Sequence, residues 1–452
     1  MKKNLVVLGA VALSAAAAVP ALALENEFHG MYRAYGYVSN AHTGGGTFNL
    51  KTDGQDRTNS YMEQRARLQY IAKASDDLKL VTHFELDSLF GGQNGGKYTN
   101  TTDSGSLDAD GVTLETKNVY LDFNIPSAPV NVKLGVQPYA DAYMGTFGNF
   151  DGAGAYATGK FGAFTPSVGW FRVNEDKNLA YPIGKLTTDL ITADVKFAVN
   201  KDVTVGANYI YMGNDGRTGN STVADAALPN AEKVHTFGLN ASAKVGPAAL
   251  NAFAAYQFGD YKDATNQELS AYAGAVTAKI KAGPGNVNLA ALYLSGDDTA
   301  PAANHKQEGW QSLASNGTTS YFNAANTWLL IRNGACINTS ASIGTNDLTK
   351  GGRGLMGFFA GYEGSAGKVF YAANAGYAQT AEERGNEDGA IGTEVNATVG
   401  YKLYDNMSAS INYAHAFLGK GMNSTTASER IPGGASDAAD PYAAFVRIDY
   451  AF

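Results

Sequence analysis

The chain has 452 residues, 44% hydrophobic and only 17% charged, where a soluble domain carries about a quarter charged residues. The net charge of −8 comes with no basic tract, which argues against nucleic-acid binding, and Cys336 as the only cysteine excludes an internal disulfide or a thiolate metal cluster. Glycine (53), tyrosine (26) and phenylalanine (21) are plentiful while proline (12) is scarce, a bias suited to many strands with aromatic ends.

The N-terminus reads as a secretory signal. Lys2 and Lys3 precede an apolar run over 5–18, and Ala21-Leu22-Ala23 fits small-residue cleavage after Ala23. The run is short of the ~20 residues a spanning helix needs, and no later segment is long and apolar enough. Loss of 1–23 leaves 32 basic against 42 acidic residues, a net charge of about −10.

The first predicted strand is FHGMYRAYGYV, followed by a polar, glycine-rich stretch over 39–60. MEQRARLQYIAK, ASDD and LKLVTHFELD then form an amphipathic hairpin. Because side chains alternate along a strand, Ala66, Leu68 and Tyr70 share one face with Leu80, Phe84 and Leu86. Glu63, Arg65, Arg67, Glu85 and Asp87 share the other. ITADVKFAV, TFGLNASAKV and EVNATVGYKL repeat the split, as does the last segment, YAAFVRIDYAF, whose Val446, Ile448, Tyr450 and Phe452 oppose Phe445, Arg447 and Asp449.

Short turns alternate with long loops. The turns fall near Pro126, Phe164, Asn200, Gly246, Gly283, Gly364-Ser365 and Asp405; the long loops follow Phe90, Tyr211, Ser295, Thr380 and Leu418. The rule yields 18 strands, or 16 if the short pair around 156–161 and 166–174 is lost. An even count with one oily face predicts an all-β transmembrane antiparallel barrel over 24–452, closed because an open edge in hydrocarbon would strand backbone groups. The competing fold, a secreted β-sandwich, would fill its oily faces with larger aliphatics than the many Ala, Gly, Tyr and Phe found here.

EQRARLQYIAKASDDLKLVTHFELD, VYLDFNIPSAPVNVKLGVQPY and the terminal VRIDYAF resemble bacterial outer-membrane porins of the general diffusion type. The resemblance is sharp over 62–139 and at the C-terminus and holds elsewhere in pattern. It implies a water-filled pore in a Gram-negative outer membrane, surrounded by lipid and lipopolysaccharide, passing small hydrophilic solutes and ions. It also implies a homotrimer and a third external loop folded inward, and it makes Phe452, with Tyr450, a signal read by the barrel insertion machinery. Two features depart from the family: the chain is long for 16 strands, and the loop after Ser295 is unusually large.

For such a barrel, the candidate lining residues are Arg33, Arg65, Arg67, Lys133 and Arg447, a basic ladder on one wall. Glu63, Glu85 and Asp122 compete as simple ion-pair partners of Arg65 and Arg67, and Asp87 shares the face of Glu85. The segment 138–154, with Tyr139, Asp141, Tyr143 and Asp151, is the candidate constriction loop, whose acids would set a transverse field against the ladder. Acids such as Asp103, Asp108, Asp110, Glu382, Glu383, Glu387 and Asp388 lie in external loops and favour cations at the mouth. The loop over 296–352 holds Trp310, Tyr321, Phe322, Trp328, Leu329, Leu330 and Ile331, and reads either as a cap over the mouth or as a cluster steadying the rim.

Enzyme and cofactor motifs fail. Gly352 to Gly357 match GxGxxG but open a strand pattern with no helix after it. Asp108 to Glu115 lack the twelfth-position glutamate of a calcium loop. The six histidines have no metal spacing, so no cofactor and no metal are expected. Three other functions compete with a diffusion pore: a barrel sheath around a partner electron-transfer protein, a solute-specific channel, and a barrel hydrolase.

Overall fold

The computed structural model describes residues 24–44, 47–51, 58–92, 105–106, 114–175, 183–184, 186–215, 231–261, 267–299, 305–313, 320–331, 342–343 and 348–452. Residues 1–23, expected to be a signal segment, and Asp103, Asp108, Asp110 and Cys336 lie outside them. The main sheet has 19 members; one is the two-residue strand Lys306–Gln307, and the remaining 18 form the wall. We number these β1 (Glu25–Ser39), β2 (Asn59–Ser75), β3 (Leu78–Leu89), β4 (Leu114–Asn124), β5 (Val130–Ala140), β6 (Asn149–Gly159), β7 (Phe164–Glu175), β8 (Thr187–Ala198) and β9 (Val203–Asp215). They continue as β10 (Ala231–Val245), β11 (Ala248–Tyr261), β12 (Gln267–Ala282), β13 (Gly285–Leu294), β14 (Leu355–Ala366), β15 (Val369–Gln379), β16 (Ala390–Tyr404), β17 (Met407–Leu418) and β18 (Tyr442–Ala451).

Each wall strand pairs antiparallel with its neighbours, and β1 pairs with both β2 and β18, so the sheet closes. Arg33 stands opposite Arg65 on one side and Asp449 on the other. The count is 18, not 16: the doubtful pair is β6 and β7, held in register from Ala153–Arg172 to Thr158–Ser167. Both chain ends share one rim with eight short turns, and the long connections share the other. The turn after β14 lies at 367–368, three residues beyond the expected Gly364-Ser365, where Gly367 supplies the φ of +60° that a tight hairpin needs.

The two faces of the wall differ as the alternation requires. Phe28, Leu68, Leu134, Val168, Leu239, Val276, Phe358, Val399, Ile411 and Val446 all stand exposed on the outside. A dissolved protein does not carry an unbroken apolar belt around its circumference, so hydrocarbon covers this one. Tyrosine and phenylalanine gather towards the belt's edges: Tyr256, Phe258, Tyr272 and Tyr293 near the loop rim, Phe161, Phe164, Tyr404 and Phe452 near the turn rim. Among the described residues no helix is long and apolar enough to cross a membrane; the strands cross it.

The inside is not uniformly wet. Leu190, Ile210, Val234, Phe253, Leu292, Phe359 and Phe445 face inward and are buried, forming one apolar cluster with residues of the long connections. The loop-rim half of the bore therefore holds a packed core made by the chain's own loops.

Candidate functional site

Described residues of the loop between β13 and β14 pack into that half. Its Trp310, Phe322, Trp328, Leu329, Leu330 and Ile331 are at most 2% exposed. Trp328 packs on Phe445 of β18 with ring centroids 5.4 Å apart, and Phe322 on Phe359 of β14 at 5.9 Å. The described apolar residues of the loop form a packed cluster, and they descend onto inward-facing wall side chains. Aromatic burial of this size drives the descent. One carboxylate fixes its depth: Glu394 of β16, fully buried, accepts the amide N–H groups of Trp328, Leu329 and Leu330 at 2.7–2.9 Å and the Asn396 amide at 2.9 Å.

Polar contacts at the rim clamp the ends of the loop. Asp297 accepts the amides of Thr299 and Glu308 and contacts His305, and its own amide donates to Gly352. Burial opposes the charge of Asp297, but the donors outweigh it and hold the carboxyl below its usual range. Arg353 forks onto Glu387, which likewise stays below the usual range against the burial that would raise it.

The segment 138–154 is mostly wall: it comprises the end of β5, an eight-residue connection over 141–148, and the start of β6. That connection does turn inward. Asp141 is its organiser, accepting the amides of Tyr143, Gly145, Phe147 and Gly148 at 2.7–2.9 Å. Complete burial pushes the Asp141 carboxyl up, and these four donors pull against it. Tyr143, wholly buried, meets Phe253 of β11 at 5.5 Å and Trp310 edge-on at 6.1 Å. Tyr139 joins Phe150 and Phe171 at the base. Asp151 binds Lys117 (2.7 Å) and Asn118 (2.7 Å) on β4.

The arginines come together where the barrel closes. Arg33 pairs with Asp449 and lies 5.9 Å over the Tyr35 ring. Arg447 donates to Asp449 at 2.6 Å. Arg65 holds Asp87 through Nε (2.7 Å) and its terminal nitrogen and reaches Glu85 at 3.5 Å; Arg67 also pairs with Glu85. Asp122 lies 3.5 Å from Lys79 and bonds Asn131 instead of meeting an arginine, and Lys133 sits over the Tyr120 ring at 5.6 Å. With Glu63 opposite Tyr35, four arginines share the patch with four carboxylates. The ladder is thus a balanced one, and Asp141, closed off by its own loop, does not oppose it.

These pairs are only partly buried. Side-chain exposures of 15% for Arg65, 32% for Asp87, 29% for Arg67 and 24% for Asp449 leave a partly exposed polar stripe on the wall among the described residues. Sequence reasoning missed Asp449 although it stands two residues from Arg447 on the same polar face. It also missed Glu394, whose strand is legible but whose loop partners are not. Tyr450 and Phe452 stack at 5.7 Å on the outer face, and Phe452 exchanges backbone hydrogen bonds with Gly30.

His42, in the connection after β1, carries a pH dependence. It is 1% exposed between Tyr37 (6.3 Å) and Phe48 (5.3 Å), and burial lowers its pKa to about 4. A histidine lowered on folding stabilises above its unfolded value near 6.5 and loses that contribution as pH falls towards 4. Hydrogen-exchange protection of 37–44 and 47–50 is expected to fall across that window in the native protein and to become flat in His42→Leu; an identical pH profile in both would assign the effect elsewhere.

No family model matches the sequence, and no curated protein matches it. The structure is similar to the outer membrane protein opdK from Pseudomonas aeruginosa, at 11% identity over 95% of this chain and 98% of that one with a TM-score of 0.51. It is similar to a BenF-like porin from Pseudomonas fluorescens Pf-5, at 11% identity over 96% and 100% with a TM-score of 0.53. It is also similar to Acinetobacter baumannii OccAB1, at 12% identity over 94% and 96% with a TM-score of 0.54. A fourth, Pseudomonas aeruginosa OccK2 (OpdF), was solved in complex with glucuronate and covers 95% of this chain and 98% of its own at 11% identity and a TM-score of 0.53. At identities this low the likeness is one of fold, a closed antiparallel β-barrel.

Proposed function

We propose that the chain is an outer-membrane channel through which small hydrophilic solutes and ions diffuse passively, with the turn rim facing the periplasm. The observation that carries this reading is the ion-paired stripe from β18 to β3, which stays partly exposed among the described residues while described residues of the inward loops pack against other parts of the wall. Arg33, Arg65, Arg67, Arg447, Glu85 and Asp87 line the passage along that wall. Lys133, Asp122 and Asp151 flank it on β4 to β6. The experiment is single-channel recording of the purified protein in a planar bilayer. Discrete conductance steps are expected, and an electrically silent barrel would defeat the reading.

A solute-specific channel is favoured over an unselective pore by the narrowing of the bore: the loops after β5 and β13 meet each other inside it, through Trp310 Nε1 to the Thr146 carbonyl and the Leu313 amide to the Phe147 carbonyl (2.8 Å). A selective channel shows saturable block by its solute. The same filling argues against a sheath, since the chain's own residues occupy the space a partner would need.

Phe452 serves assembly through the insertion machinery in this reading. Its ring lies against Gly30, where any Cβ would meet it at 2.4 Å. Deleting Phe452 is expected to lower the yield of heat-resistant barrel in cells several-fold while leaving refolding in detergent largely intact; equal yields in cells would remove it from sorting.

A further inference from the structure

The turn-rim half of the bore carries a second set of charges, and unlike the arginine stripe it is not balanced. From β6 to β16 the inward-facing positions next to the turns hold Lys160, Lys196, Lys244, Lys279, Lys281 and Lys402. Alternation fixes their direction, since Val195, Val245 and Tyr401 beside them stand exposed on the outer face. All six lysines are exposed, and on the inner face that exposure is to the bore.

Two carboxylates share this arc, Asp194 and Glu363. Glu363 pairs with Lys279, and Asp194 lies in electrostatic reach of Lys196. Lys160, Lys196, Lys244, Lys281 and Lys402 make no ion pair and no Nζ hydrogen bond among the described residues. The turns below do not offset them: Lys201 sits against Asp202 at 3.8 Å, and the charges of Lys368 and Asp405 cancel. Ser242 and Asn251, inward-facing beside Lys244, are exposed as well, so no described residue fills the bore in front of the arc.

The register spaces the ammonium groups. Lys160 and Lys196 flank Thr165 of β7, and Lys244 and Lys279 flank Ala249 of β11. Members of each pair are two strands apart, about 10 Å between backbones. That is about one Debye length at 0.1 M salt, so their fields overlap and the lysines repel one another. An anion carrying several charges along its length relieves this repulsion at two or more lysines together; a small monovalent anion meets one at a time. The loop rim has the opposite sign: Asp298, Glu382, Glu383 and Asp388 make no ion pair among the described residues. A multivalent anion is repelled at that mouth and attracted at the other.

We infer that Lys160, Lys196, Lys244, Lys281 and Lys402 form a binding vestibule at the turn rim for small multivalent anions of the linear polyphosphate kind. The inference rests on the channel reading only for its effect on current; the binding itself needs no conduction.

The test adds inorganic tripolyphosphate to single channels of the full barrel at about 0.1 M salt. An epitope placed in the exposed 200–202 turn, with its antibody added after recording, shows which chamber the turn rim faces. From that chamber tripolyphosphate is expected to block at a concentration roughly tenfold or more below that needed from the loop side, and the block should fade at 1 M salt. Inorganic phosphate at the same concentration should block from neither side. The triple variant Lys196→Gln, Lys244→Gln and Lys281→Gln should need roughly tenfold more tripolyphosphate, whereas arginine at the same three positions should preserve the block because the charge is kept. Each variant is to show the heat-resistant mobility of the folded barrel. Equal block from both chambers, no block, or a glutamine variant that blocks like the native protein would overturn the vestibule. Calorimetric titration in detergent separates the two claims. Conductance without tripolyphosphate binding keeps the channel and removes the vestibule. Saturable binding by an electrically silent barrel, lost in the glutamine variant, does the reverse.

Discussion

Glu394→Ala is expected to open the bore. The substitution strands the three amides of Trp328, Leu329 and Leu330 in a dry interior, where they have no second acceptor. At about 1–3 kcal/mol for each unsatisfied donor, the docked loop loses roughly 4 kcal/mol, about a thousandfold in its docked-to-released ratio. Release lets the amides reach water and withdraws Trp328 from Phe445. Single-channel conductance should rise severalfold with added flicker, and limited proteolysis should begin to cut within 320–331. Glu394→Gln, which keeps one carbonyl oxygen, should lie between the variant and the native protein. A Glu394→Ala barrel with native conductance and native protease resistance would show that aromatic packing alone seats the loop, and the carboxylate would lose its role as anchor.

Charge selectivity should respond to the paired stripe in both directions. Arg65→Ala with Arg67→Ala leaves Glu85 and Asp87 without their guanidinium partners and gives the wall two net negative charges. A unit charge about 6 Å from a passing ion in water contributes roughly 0.7 kcal/mol, so two favour cations by about tenfold before salt screens them. The reversal potential under a salt gradient should move towards cations by that order at low ionic strength and by much less at 1 M. Glu85→Gln with Asp87→Asn should move it towards anions, and the fourfold variant should return near the native value. Because native charges balance, the stripe by itself gives little ion preference; that follows from the partners of the arginines, not from the chain's total of −8. Unchanged reversal potentials in both double variants would place the passage along another wall.

Legibility followed the length of chain over which each signal acts. Alternation is local: whether Arg65 and Leu68 face opposite sides depends only on their spacing along β2, so the faces of the hairpins read directly. Closure follows from one further requirement, that no edge be left in hydrocarbon, and it set Arg33 of β1 next to Asp449 of β18 from opposite ends of the chain. Asp122 was harder, since its neighbour depends on the register of β3 against β4, and a bulge between His83 and Phe84 shifts that register.

By itself the sequence determined a closed barrel of 18 or 16 strands with an apolar outside, because a strand exposes its two faces at every second residue wherever it lies; the register of β6 against β7 decided for 18. Tertiary structure alone decided where the loops go. The residues of 320–331 carry a strong tendency to be buried but no periodicity that names a partner, and burial is non-directional. They found the inner faces of β14, β16 and β18, where Phe359, Glu394 and Phe445 meet them, more than 20 residues away along the chain.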